Sequence, residues 1–231
     1  MLGAAKKKLH SRQGASMSIA LLLFLVCLAV SSVVLTAGTA AAGRLSELKK
    51  MDQRYYSVTS AAELVRDMVS SETVGGKTVP SRTVTFTQTK TTQTSGGGTT
   101  SAVHTDIGDS LLSEATARLT FGSDTNTMDA WLLTGGEAGD WNQSFDITSD
   151  KTLKVTVKAV IENGDLVFYF KNAENGATDA FCLKLTCTPE APKAGAATAE
   201  TPPEGETERL TRTVSVTYQK KNCVIERTGN W

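Results

Sequence analysis

The sequence predicts an α+β chain: a long N-terminal helix, transmembrane and then amphipathic, followed by a mainly antiparallel β-sheet domain. Three observations predict it. Residues 15–42 are 28 consecutive positions without a charge or a proline, longer than the roughly 20 that cross a bilayer core. Beyond them Leu48, Met51, Tyr55, Val58, Ala62, Val65 and Val69 recur at alternating steps of three and four, the spacing of one helix face. After Pro80 the apolar period falls to two, as in half-buried strands.

Charge divides the chain in the same place. All 24 acidic residues lie after residue 46, whereas Lys6, Lys7, Lys8 and Arg12 precede the apolar block without a counter-charge. The formal net charge of zero is therefore the sum of two unlike parts, and removing residues 1–14 leaves 20 basic against 24 acidic groups. That balance gives no reason to expect a nucleic-acid partner. The basic segment reads as targeting, with the N-terminus cytoplasmic under the positive-inside tendency. Arg44, Lys49, Lys50 and Arg54 on the far flank pull the other way.

Taken in order, residues 1–14 form a basic leader, residues 15–70 the long helix, with 15–42 spanning the membrane, and residues 71–81 a linker. No proline interrupts the chain before Pro80, and an unbroken helix of this length would measure roughly 80 Å at ~1.5 Å per residue. Gly75-Gly76 and then Pro80 supply the stop signal expected after a helix end. The β-rich extracytoplasmic domain occupies residues 82–231. Within it Leu153, Val155, Val157, Ala159 and Ile161 alternate with polar residues, and Asn163-Gly164 turns this strand into residues 166–170, the strongest short hairpin signal available. Asn175-Gly176 leads to a third meander strand over residues 180–187, and residues 213–219 and 223–227 are expected to close the sheet. Residues 107–119 carry Leu111, Leu112, Ala115 and Leu119 at helical spacing. Residues 89–101, rich in Thr and Gly, and the flexible loop 189–208, rich in Ala, Pro, Thr and Glu, are expected to lack regular structure.

The junction Arg12-Gln13-Gly14-Ala15-Ser16-Met17-Ser18-Ile19-Ala20-Leu21 resembles the processing site of type IV pilins and pseudopilins. The resemblance covers the leader, the long helix and the helix-then-sheet order, and does not extend into the β-rich part. It implies cleavage after Gly14 by a prepilin peptidase-like membrane enzyme, with Ala15 as the new N-terminus. It further implies that the retained helix packs with other pilin-like subunits into a pilus or secretion-type filament. The chain departs from the family at the fifth mature position, where Ile19 stands in place of the common glutamate. A carboxylate there would pair with a neighbouring N-terminal amine inside the bilayer, so one assembly contact is missing. The Gly-Ala-Ser start is also similar to the pseudopilins of tight-adherence pili.

Two rival readings of the same segment stay open. An ordinary secretory signal would end at Ala40-Ala41-Ala42 before Gly43, although the uncharged stretch exceeds the usual ~7 to 15 residue apolar region. An uncleaved anchor that never polymerises is the third. Small residues gather from Ser31 and Ser32 through Thr36, Ala37, Gly38, Thr39 and Ala40 to Gly43, a composition that lets helices approach closely in lipid, with Gly38 and Gly43 as points of local unwinding.

No catalytic residue, cofactor or metal is expected. His104, Asp106, Asp109 and Ser110 have the residue types of a hydrolytic triad, but near neighbours in sequence rarely meet in that geometry. The run from Asp124 to Asp129 lacks the glycine and terminal glutamate of a calcium loop and reads as a surface turn. Trp131, Trp141 and Trp231 read as packing residues, and Tyr55-Tyr56 as the place where helix meets sheet. Cys27 lies in the membrane segment. Cys182 and Cys187 point to opposite faces of a regular strand, so either could pair with Cys223, and a single disulfide or three reduced thiols are both compatible with the sequence. The functional expectation is a non-enzymatic pilin-like subunit in the cell membrane; the alternative is a monomeric membrane-tethered or secreted β-rich binding module.

Overall fold

The computed structural model describes residues 12–133, 140–148, 154–172 and 181–229. The chain divides into two compact units, residues 1–53 and residues 54–231.

In its described part the first unit is helix throughout and belongs to α1, Arg12–Ser70. The helix passes through Gly38 and Gly43 without a break, so the expected local unwinding does not occur. Every described side chain from residue 17 to residue 53 is exposed. Four hydroxyls embedded in the apolar run are satisfied by the helix itself: Ser31 donates to the Cys27 carbonyl at 2.7 Å, Ser32 to Ala29 at 2.8 Å, Thr36 to Ser32 at 2.7 Å and Thr39 to Thr36 at 2.9 Å. Such back-bonding lets Ser and Thr sit in an apolar medium without an orphaned donor.

The second unit folds the end of α1 onto an antiparallel sheet. Its elements are β1 (Glu72–Val74), β2 (Lys77–Val79), β3 (Ser81–Ser95), β4 (Gly98–Asp106), α2 (Leu111–Phe121), a 3-10 turn at Met128–Leu132, β5 (Asn142–Thr148), β6 (Lys154–Glu162), β7 (Asp165–Asn172), β8 (Cys182–Pro189), β9 (Lys193–Ala194), β10 (Thr198–Glu200) and β11 (Glu208–Thr228). The main sheet runs β4-β3-β11-β8-β7-β6-β5, with β9 and β10 also paired to β11, and every pairing is antiparallel. β11 is its hub. On one edge residues 208–219 pair with β3; on the other Tyr218 and residues 223–228 pair with β8, and the register of that second ladder shifts between Tyr218 and Cys223. A shift of this kind bends the strand and increases its local twist.

Period-two patterning explains the core. Val84 and Phe86, then Val155, Val157 and Ala159, then Leu166, Phe168 and Phe170, then Leu183, Leu185 and Cys187, and lastly Val214, Val216 and Tyr218 turn to one side. Against that face lie Val58, Ala61, Ala62, Val65 and Val69 of α1 and Ala115, Ala117 and Phe121 of α2. The β6–β7 hairpin turns on Asn163 (φ 53°) and Gly164 (φ 85°), and positive φ at both positions is what a two-residue turn matching the strand twist requires. α2 begins at Ser110, whose Oγ accepts the Ser113 amide at 3.0 Å, and stops at Gly122.

Several expectations need correction. The supposed linker 71–81 contains the β1–β2 hairpin, turning on Gly75-Gly76. Residues 89–101 are the distal arms of β3 and β4, paired from Thr89↔His104 to Ser95↔Gly98 around Gly96-Gly97. Thr-rich composition reads as coil when taken alone, yet Thr is a good strand residue once a partner strand is available. The supposed flexible loop 189–208 carries β9 and β10, and Thr207 is bonded to the Thr92 carbonyl through both its amide (2.7 Å) and its hydroxyl (2.9 Å). Residues 213–219 and 223–227 are parts of one strand in the middle of the sheet, not separate strands that close it. Leu153, Asn175-Gly176, Ala180 and Trp231 lie outside the described residues.

Candidate functional site: the exposed apolar helix

Gly14 and Ala15 fall in the first turn of α1. From Met17 to Leu35 thirteen large apolar side chains stand exposed, from Val26 at 50 % to Met17 at 77 %. At about 1.5 kcal/mol or more for each such side chain, leaving them in water forgoes on the order of 20 kcal/mol. That exceeds the total stability of a typical domain, about 5–15 kcal/mol. The segment is long and apolar enough for a membrane span or a signal sequence. Two shallow grooves follow one side of it, the first lined by Ser32, Val33, Thr36, Ala37 and Ala40. The second is lined by Ala37, Ala40, Ala41, Arg44, Leu45 and Leu48. They exist because small side chains leave the backbone open there, the condition for close helix approach.

Comparison of the chain with family models, with curated proteins and with solved structures gives no match.

The stripe read as helix packing separates into two parts. Leu48, Met51 and Tyr55 are exposed at 57 %, 58 % and 47 %, whereas Val58, Ala62, Val65 and Val69 are buried. Periodicity alone could not find this division, because the spacing is the same on both sides of it. Tyr55 lies in T-shaped contact with Tyr56 at 5.5 Å and with Phe181 at 4.9 Å. At the other end, Arg82 of β3 donates to the Met68 carbonyl at 2.6 Å, satisfying one acceptor of the last turn, and Lys220 of β11 pairs with Asp67 at 2.6 Å. Beside this end Leu64, Met68, Leu111, Leu112, Phe145 and Ile147 line an apolar groove of about 400 Å³, where Leu64 and Met68 remain exposed.

Three polar groupings were not legible in the sequence. Gln88, fully buried, accepts from Arg212 Nε and Nη2 at 3.1 and 2.9 Å and donates from Nε2 to Thr105 Oγ1 at 3.1 Å and the Ala130 carbonyl at 3.2 Å. Arg212 also donates to the Trp131 carbonyl and lies 3.9 Å from the centre of that indole. Burial lowers its pKa. The effect is to hold the loop carrying Trp131 against β3 and β11. On the opposite face of the sheet, Glu162 accepts from Tyr169 at 2.9 and 3.0 Å and from Lys184 at 3.2 Å. Desolvation and the Glu162 bond raise the Tyr169 pKa, and the Glu162 bond raises that of Lys184. This links β6, β7 and β8. Thirdly, Tyr218 bonds Thr116 of α2 at 3.0 Å, and burial raises its pKa strongly.

The remaining sequence candidates fall as follows. His104 and Asp106 are exposed on β4, while Ser110 is occupied as the cap of α2. Asp124 accepts the Asn126 amide at 3.1 Å, and Asn126 in turn accepts the Thr105 amide at 3.1 Å, which ties the turn to β4. Among the described residues no group of three or more His, Cys, Asp or Glu is gathered as a metal would require. Trp141 is buried and donates to Glu114 at 3.1 Å. Cys182, Cys187 and Cys223 are buried free thiols and Cys27 is an exposed one.

Proposed function

We propose that the chain is a non-enzymatic pilin-like or pseudopilin subunit, held in the cytoplasmic membrane by residues 15–42 with its β-rich domain outside the cytoplasm. On this reading it is trimmed after Gly14 by a prepilin peptidase-like enzyme and packed by its helix against other pilin-like subunits. The observation that carries the reading is the continuity of α1. One helix is exposed and apolar from residue 17 to residue 43 and built into a sheet core over its last turns, with no coil between residues 40 and 48. A cleavable secretory signal has no use for such continuity, because removal at Gly43 would cut the helix in the middle. Assembly on this scheme is physical: apolar faces exchange lipid contacts for one another, and small residues permit close approach.

A second reading, a monomeric tethered or secreted binding module, is favoured by the apolar groove at Leu64 and Met68. Mass spectrometry of the N-terminus of membrane-extracted protein separates them. A start at Ala15 supports the subunit reading, a start at Gly43 supports secretion, and an intact leader supports a plain anchor. Gly14→Leu should abolish trimming, and unchanged processing of that variant would overturn the proposal.

A further inference from the structure

We propose that Cys187 and Cys223 form a cross-strand disulfide between β8 and β11, with Cys182 left as a thiol. The two residues are direct partners in the antiparallel ladder, Cys223↔Cys187. Residues opposed in this way have Cα atoms about 4.5 to 5.5 Å apart, inside the roughly 4.4 to 6.8 Å that a disulfide spans. Both side chains lie in the same core cluster. Cys182 is absent from that cluster and stands opposite Thr228 and Lys171, five positions from Cys187 and therefore on the other face of the sheet. The choice between Cys182 and Cys187 that the sequence leaves open is thus decided by register and face together.

Interaction between the two thiols raises the Cys187 pKa and lowers that of Cys223, burial opposes ionisation of both, and Ser70 and Arg66 at the end of α1 favour the Cys223 thiolate. The bond forms by thiol–disulfide exchange. One cysteine, as thiolate, attacks one sulfur of a small-molecule disulfide or of a disulfide-bearing oxidoreductase, whose S–S bond breaks as one thiol leaves. The other cysteine gives up its proton, attacks the protein sulfur of the mixed disulfide and expels the second thiol. Two protein thiols are oxidised by two electrons in all, and the oxidant is reduced to two thiols carrying both protons.

The position of the bond gives it a structural role. It sits at the first pair after the register shift within the β11–β8 ladder, between Tyr218↔Pro189 and Cys223↔Cys187. Backbone pairing fixes register least well beside such an irregularity, and a covalent link there excludes a slipped alignment of residues 223–228.

The test uses full-length protein refolded in detergent with oxidised and reduced glutathione, followed by alkylation and peptide mapping by mass spectrometry. The expected result is a loss of about 2 Da, a crosslinked peptide joining Cys187 to Cys223, and alkylation of Cys182. Oxidised wild type and Cys182→Ala should melt about 10 °C above their reduced forms, and Cys223→Ala should melt at the same temperature in either buffer. Crosslinks that include Cys182, or full alkylation of all three thiols after refolding in the oxidising buffer, would overturn the proposal. Because the mapping is done on wild type, it decides the matter even where a variant fails to fold.

Discussion

The division of the α1 stripe predicts that two substitutions of the same kind, ten residues apart on one helix face, differ in cost. Val58 is completely buried between helix and sheet, and Leu48 is 57 % exposed. Val58→Ala removes two methyl groups, about 1.6 kcal/mol at ~0.8 kcal/mol each, and leaves a cavity worth roughly a further 1 kcal/mol if the site does not collapse. The better helix propensity of alanine returns about 0.5 kcal/mol, so the net loss should be about 2 kcal/mol. Leu48→Ala should stay within ~0.5 kcal/mol of wild type, as surface changes do. Urea unfolding of the full chain in detergent, followed by the fluorescence of buried Trp141, measures both. On the subunit reading, Leu48→Ala should reduce recovery in assembled material while folding normally. Equal destabilisation by the two changes, or a neutral Val58→Ala, would refute the claim that the stripe changes role between Tyr55 and Val58.

Gln88→Leu should destabilise the fold by about 3 kcal/mol, because it strands the Arg212 guanidinium and the Ala130 carbonyl in a buried place; differential scanning calorimetry checks this, and a neutral result would show that the cluster is dispensable. Tyr218 predicts an alkaline limit. Its folded pKa lies above the unfolded value of about 10, so its contribution is complete below that value and is lost as pH rises towards the folded one. Absorbance at 295 nm should show one tyrosine that ionises only as the chain unfolds, and Tyr218→Phe should remove that phase. Gly164→Val places a β-branched residue at φ 85° in the β6–β7 turn and should cost about 1 to 2 kcal/mol, again by urea unfolding, although no neighbouring atom stands within 4 Å of the new Cβ.

How much could be read beforehand depended on how local each cause was. The 28 uncharged residues, the three-four stripe and the end of α1 at Ser70 are local properties of composition and period, and the helix emerges where they place it. The Asn163-Gly164 hairpin is local for the same reason, since turn and strands are neighbours in the chain. By contrast, residues 89–92 also pair with β11, more than a hundred positions away, and residues 193–194 and 198–200 are ordered by backbone partners on β11 that their own composition does not announce. The stripe could name which face of the helix is apolar, but only the sheet decides that Val58 meets a core while Leu48 meets none. Gln88 and Arg212, 124 residues apart, each continue the period of a buried strand face, but nothing in that period says that the two polar side chains meet.

The sequence by itself determined the fold class and the physical character of residues 15–42, since an apolar run long enough to cross a bilayer satisfies its own backbone there only as a helix. Tertiary structure alone decided which strands meet, which cysteines face each other and where the helix stops being free surface. Those are questions of register between distant segments, and a one-dimensional pattern carries the preference of each segment but not the identity of its partner.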